Sequence, residues 1–277
     1  MRFFDRLSNG WQLAKTSLRI IQEEKALLLF PVLSTLALIM VCATFFGGGY
    51  FVFGEQIFAV DSAGETTITP LAYILAFLYY FVTYFVIIFF NSALVHCAVR
   101  VLDGEKTNLS EGLEYATSKL DKILMWTGIS ATIGLLLKAL QSNDKIGEIA
   151  AAIIGTAWSI LTFFVVPVLL YEDKDVIGTI KQSGRIMKEK WGESLGANFG
   201  FGFINFLAIL VIGLVAFALA QVHVVLGILV GISLLLLLGT VMSAAQAVFL
   251  AAIYQRVNDK PTGDFNNSIL DSAFVGK

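Results

Sequence analysis

Charge is what this chain has least of. Asp, Glu, Lys and Arg make up 14% of its 277 residues, against roughly 25% in an ordinary globular domain. Hydrophobic residues reach 57%, and 23 of them are Phe. So little charge cannot cover the surface of a soluble fold of this length, which leaves a membrane protein. The net charge is only −2, and no nucleic-acid partner is expected.

Histidine and cysteine are scarce too, with two of each. His96 lies four residues before Arg100, near one membrane surface, and His223 lies in a turn at the other, so the pair cannot share an ion. Cys42 sits about 25 Å and Cys97 about 5 Å from the same surface, too far apart for the ~7 Å Cα limit of a disulfide. Both are expected to be free thiols. There is no zinc spacing, phosphate loop or nucleophile elbow, and the Gly-rich "FFGGGYF" from Phe45 lacks the Lys-Ser/Thr of a nucleotide site. No catalytic residue, cofactor or metal is therefore expected, and the chain does not read as an enzyme.

What the sequence does have is long apolar runs. Ala26 to Gly54 and Pro70 to Val99 carry no charge, and each exceeds the ~20 residues that cross a bilayer. Residues 194–255 form one uncharged run of 62, about 93 Å as a helix, so it must turn back, most naturally at the polar "AQVHV" of Ala220 to Val224. Ile149 to Tyr171 is a further span. Ile123 to Leu137 is short, but the flanking Lys122 and Lys138 can snorkel toward the headgroups. The fold class predicted is all-α, a polytopic bundle of six transmembrane helices. The first apolar run starts late and is too long for a signal peptide, so it is expected to be a retained span. On this topology 17 of the 19 Lys and Arg fall on one side, with only Lys138 and Lys145 opposite. The positive-inside rule then places both termini in the cytoplasm and Glu65 and Asp144 outside.

Amphipathic stripes precede the hairpins. Phe4, Leu7, Trp11, Ala14, Leu18 and Ile21 recur at spacings of three and four. Leu109, Leu113, Ala116, Leu120 and Ile123 form a second stripe, opened by Asn108 and Glu111 in a capping-box arrangement. Ile177, Ile180, Gly184, Met187 and Trp191 form a third, with Asp175 as a cap. "SLRIIQEE" at Ser17 and "SGRIMKEK" at Ser183 resemble one another. The predicted organisation is one membrane domain of three parallel units, 1–102, 103–172 and 173–260, each an amphipathic helix plus a transmembrane hairpin, followed by a tail at 261–277. Trp11, Leu113 and Ile177 would be equivalent positions, facing acyl chains or the underside of the bundle. The amphipathic helices read as interfacial collars, or alternatively as lipid-sensing or partner-docking elements.

Within the spans, Thr35, Asn91, Ser130, Thr162, Asn205 and Gln246 all fall roughly 12–18 Å from the basic surface, one per span. They define a candidate intramembrane polar layer. One reading makes it interhelical glue, with Asn91 bonded to Gln246, at about 0.6–2 kcal/mol per bond. The other makes it a polar constriction or binding ring. His96 and Cys97, nearer the headgroups, are expected to be replaceable. No span carries a charge at its centre, which argues against an ion-coupled pump. Gly196/Gly200, Gly202, Gly227/Gly231 and the Gly47 to Gly49 run offer small faces for close helix approach, and Pro31 and Pro167 should kink or loosen their helices.

"FFNSALVHCAVRVLDGE" from Phe89, "AAIIGTAWSILTFFVVPVLLYE" from Ala151, "KEKWGESLGANFGFG" from Lys188 and "SAAQAVFLAAIYQ" from Ser243 together resemble a prokaryotic six-span integral membrane family of unknown function. The resemblance covers nearly the whole chain. It implies a plasma-membrane protein and supplies no catalytic residues. The expected function is a non-enzymatic scaffold or accessory protein, with membrane lipids and a homo-oligomeric or membrane-protein partner. The alternative is a passive channel or permease for a small molecule or lipid. A cavity lined by Asn91, Asn205 and Gln246 would favour passage, and a filled interior would favour the scaffold.

Overall fold

The computed structural model describes residues 3–49, 52, 54, 56, 58–60, 66–141, 145–191 and 198–272. Expectations resting on Glu65, Asp144 and Gly196 lie outside the described residues. In chain order the helices are α1 (Phe3–Glu23), a 3-10 turn (Lys25–Leu28) leading into α2 (Leu29–Cys42) with a π-helical extension (Ala43–Gly48), α3 (Pro70–Leu102), α4 (Leu109–Ser118), α5 (Leu120–Gln141), α6 (Lys145–Leu161), α7 (Val165–Tyr171), α8 (Val176–Trp191), α9 (Asn198–Val222), α10 (Val224–Val257) and α11 (Asn267–Ser272). A three-residue ladder pairs Phe58–Val60 with Thr66–Ile68 antiparallel in the connection between α2 and α3. Among the described residues the regular structure is otherwise helical.

Six helical segments are long and apolar enough to cross a membrane: Lys25–Gly48, Pro70–Leu102, Leu120–Gln141, Lys145–Tyr171, Phe201–Val222 and Val224–Val257. The long uncharged run turns at His223, which caps α10 in extended conformation. The segment between Lys122 and Lys138 becomes a helix of 22 residues, about 33 Å long and sufficient to span. Lys122 reaches back from it to the Glu172 carbonyl at 3.3 Å and the Asp173 carboxylate at 3.5 Å.

Both prolines act locally. Pro31 has no N–H for the Leu27 carbonyl, and the first span changes there from 3-10 to α-helix. Pro167 likewise cannot serve the Phe163 carbonyl, and the fourth span is broken at residues 162–164. The fully buried Ser183 of α8 mends the break: its hydroxyl donates to the Leu161 carbonyl at 2.7 Å and accepts the Phe164 N–H at 3.0 Å. Irregular backbone at membrane depth persists only where protein satisfies it in this way.

Packing concentrates at the end of the bundle that carries the basic residues, called the basic end below. Leu27, Phe30, Leu94, Ala98, Ile123, Phe164, Leu169, Ala251 and Ile253 are almost completely buried there. The opposite ends of the spans display Phe46, Ile146, Leu214, Phe217 and Leu237, the surface that lipid covers. α1 packs on α9 and α10, α4 on α3, and α8 on α5, α6 and α7. Asn108 accepts the Glu111 N–H and Asp175 the Gly178 N–H, both at 3.0 Å, so the two expected caps form.

The buried faces of these helices coincide only in part with the expected stripes: Ala14, Ile21, Ala116, Ile123 and Met187 are buried as the period predicts, but the faces are rotated at other positions. α1 buries Leu13, Ala14, Ser17, Ile20 and Ile21 and exposes Trp11; α8 buries Val176, Thr179, Ser183, Ile186 and Met187 and exposes Ile177. Trp11 and Ile177 therefore do not face the underside of the bundle. Close approach to other helices selects small and hydroxyl residues whose polarity is satisfied at home: Ser17 donates to the Leu13 carbonyl and Thr179 to that of Asp175. In α4 the contact residue is Gly112, where a Cβ would come within 2.5 Å of the Phe30 ring and 2.7 Å of Cys97 Sγ.

The glycine expectations divide. A Cβ at Gly227 would meet the Ala216 carbonyl at 2.6 Å and Ala220 at 2.7 Å, so α9 and α10 cross tightly there. Gly47 and Gly48, by contrast, have open space around them, as do Gly202 and Gly239, and none of these four mediates close packing within the chain. The stretch expected as a tail is also largely structured: Phe265 and Leu270 are buried in the core, Arg256 holds Asp271 through two bonds of 2.7 and 2.8 Å, and Arg19 holds Asp264 at 2.9 Å.

Candidate intramembrane site

Four of the six polar-layer residues line one cavity. Its volume is about 700 Å³, and its walls come from α2, α3, α9, α10 and Phe163 at the break. Thr35 contributes from α2, Asn91 from α3, Asn205 from α9 and Gln246 from α10, joined by Ser34, Thr240 and Ser243. Ser130 and Thr162 are elsewhere: Ser130 is buried in α5, and Thr162 donates to the Trp158 carbonyl at 2.8 Å. The layer is thus a site between the first and last hairpins rather than a ring of six.

The polar groups are unevenly satisfied. Thr35 donates to the Pro31 carbonyl at 2.8 Å and Thr240 to that of Leu236 at 2.9 Å. Among the described residues the amides of Asn91, Asn205 and Gln246 have no hydrogen-bond partner in the protein, and the expected Asn91–Gln246 bond does not form. Both amides instead line the open volume between the helices. An amide offers two donors and a carbonyl acceptor, and leaving such a group without a partner in an apolar medium costs several kcal/mol. The rest of the lining is apolar, with Phe90, Leu94, Phe201, Phe249 and Leu250, and no Asp, Glu, Lys or Arg is among the lining residues. Gly202 and Gly239 keep the volume open, since a side chain at either would project into free space. Sequence reasoning named neither Ser34 nor Ser243. The signal was there, because Ser34 adjoins Thr35 and Ser243 is three residues before Gln246, on the same helical face.

Nearer the basic end the same helices are packed solid around an aromatic stack. His96 of α3 lies flat on Tyr115 of α4, with centroids 3.7 Å apart and planes 5° apart, and its Nδ1 is 2.9 Å from the hydroxyl of Tyr171 at the end of α7. Tyr171 in turn stacks on Tyr254 of α10 at 6.0 Å. Tyr115 donates to the Leu170 carbonyl at 3.0 Å, and burial pushes its phenol above the usual range, so it stays a neutral donor. Beside the stack, Gln255 donates to Asp103 at 2.7 Å. His96, expected to need no partner, is buried and bonded, and the stack it belongs to runs from α3 through α4 and α7 to α10. Cys97 is buried as well, and both cysteines are free.

A predominantly helical bundle with six segments long and apolar enough to cross a membrane, and a cavity lined by no charged residue, is compatible with a multi-pass membrane protein. Residues 70–265 match DUF6159, a family of unknown function, and the chain belongs to that family. No curated protein and no solved structure matches it.

Proposed function

We propose that the protein is a non-enzymatic membrane protein that holds a ligand in the cavity between α2, α3, α9 and α10, in the manner of a permease or lipid-handling protein. One observation carries this reading: three amides converge on about 700 Å³ of space with no partner in the chain. A bundle built only to pack would cover or pair such groups. The cavity suits a binding site better than an open channel, because Phe30, Val95, Ala98, Ala251 and Ile253 on the same helices are fully buried toward the basic end. That solid end also supports the second reading, a scaffold whose packed basic face meets a partner.

Native mass spectrometry of protein extracted from its own membrane tests the choice. A retained small molecule or lipid that Gly239→Leu displaces supports the ligand reading; an identical empty spectrum for both proteins supports the scaffold. A plasma-membrane location with both termini cytoplasmic is proposed from the 17-to-2 distribution of basic residues. External labelling of a cysteine placed at residue 181 in sealed cells would overturn it. A threefold architecture is proposed from the packing of α4 on the first hairpin, α8 on the second and α1 on the third.

A further inference from the structure

The geometry points to an uncharged, hydroxyl-bearing lipid of the diacylglycerol class as the occupant of this cavity, entering sideways from the bilayer between α2 and α9. The inference rests on the ligand reading above and adds the route and the headgroup chemistry.

The route follows from which helices touch. α2 packs on α3 and α10, and α9 packs on α1 and α10, so α3 and α10 form the back of the cavity while α2 and α9 are its two flanks, with at most sparse contact between them among the described residues. Gln246, Ser243 and Gly239 are exposed despite lying on the cavity wall. The outer flanks carry Leu36, Met40, Phe206 and Leu210, all exposed and apolar. A gap so bordered opens onto acyl chains.

The headgroup follows from the lining. Phosphate or carboxylate needs a paired charge in a medium of low dielectric, and none of the lining side chains is charged. Three amides and two serine hydroxyls both give and accept hydrogen bonds, which matches a free hydroxyl beside ester carbonyls. Phe90, Phe201 and Phe249 supply apolar contact for the glycerol backbone and upper chains, and the volume lies within the range of small-ligand pockets, roughly 300–1,000 Å³. The chains themselves can remain in the bilayer through the gap.

The test uses the full-length protein in phosphatidylcholine nanodiscs doped with photoactivatable diacylglycerol or photoactivatable phosphatidylglycerol, with labelled peptides mapped by mass spectrometry. The expected result is diacylglycerol label on peptides containing Thr35, Asn205 and Gln246, competed by unlabelled diacylglycerol and lost in Gly239→Leu. This variant keeps the native backbone, because nothing lies within 4 Å of a Cβ at that position, and its thermal melt serves as the folding control. Equal or stronger cavity labelling by phosphatidylglycerol overturns the uncharged headgroup while leaving the ligand site standing. Absence of cavity label from both lipids, with labelling elsewhere unchanged by Gly239→Leu, overturns the lipid inference. The ligand reading then stands or falls separately on what native mass spectrometry finds.

Discussion

Along α3, His96 and Asn91 are only about 7.5 Å apart, yet they are treated in opposite ways. His96 sits in a layer where every aromatic ring has a neighbour and the hydroxyls of Tyr115 and Tyr171 are bonded. Asn91 sits in a layer where helices stand apart and three amides face open space. The difference teaches that polarity within a span has two uses. Where the partner is built into the chain, the polar group closes the bundle; where it is left out, the same kind of group marks a place for something else.

The sharpest way to break this comparison is to remove a ring from the closed layer. Tyr171→Ala deletes the hydrogen bond to His96 and the stacking on Tyr254, and the bundle is expected to lose about 3–5 kcal/mol, the usual cost of emptying a buried aromatic site. Steric-trap unfolding in detergent measures it. A loss below that of the cavity variants would show that the stack is not what holds the three hairpins together.

A smaller effect is expected at the break in the fourth span. Ser183→Ala removes the hydroxyl that bonds the Leu161 carbonyl and the Phe164 N–H, at a cost of about 1–3 kcal/mol for lost bonds to buried groups. Ser183→Thr, which keeps the hydroxyl, should recover part of it in the same assay. Hydrogen exchange at Phe164 should rise in the alanine variant and not at Leu94, which is far from the break.

Comparing His96→Gln with Asn91→Leu sharpens the contrast directly. Periodicity and depth alone put the larger effect on Asn91; the contacts reverse it. His96→Gln should cost about 1–2 kcal/mol through its lost bond and stacking, whereas Asn91→Leu breaks no bond and should change stability by less than about 0.5 kcal/mol. A larger loss for Asn91→Leu in thermal melts would mean that its amide does have a structural partner. The smallest expected effect is a gain: Gly239→Leu should stabilise by up to about 1 kcal/mol, because glycine is a poor helix former and an added Cβ meets nothing within 4 Å.

How much of this was legible beforehand follows from the physics of each feature. Six spans, the turn at His223, the caps at Asn108 and Asp175 and the loosening near Pro31 and Pro167 could be derived from sequence, because they depend on local chemistry. Apolar length answers to bilayer thickness, a cap answers to its own helix, and proline answers to a carbonyl four residues away. Depth is nearly local as well, since a fixed rise per residue placed Thr35, Asn91, Asn205 and Gln246 at one level. Tertiary structure alone decided which side of each helix faces what. Trp11 and Ile177 fit an apolar period yet lie outside, because the buried faces of α1 and α8 are chosen by close approach, which favours Ser17, Thr179 and Ser183. Likewise, whether four depth-matched residues bond to one another or surround an open volume depends on the spacing of α2, α3, α9 and α10, and whether His96 meets Tyr171 depends on contacts between residues 75 apart in the chain. Spacing between helices is a sum over many distant contacts, and no short stretch of sequence contains it.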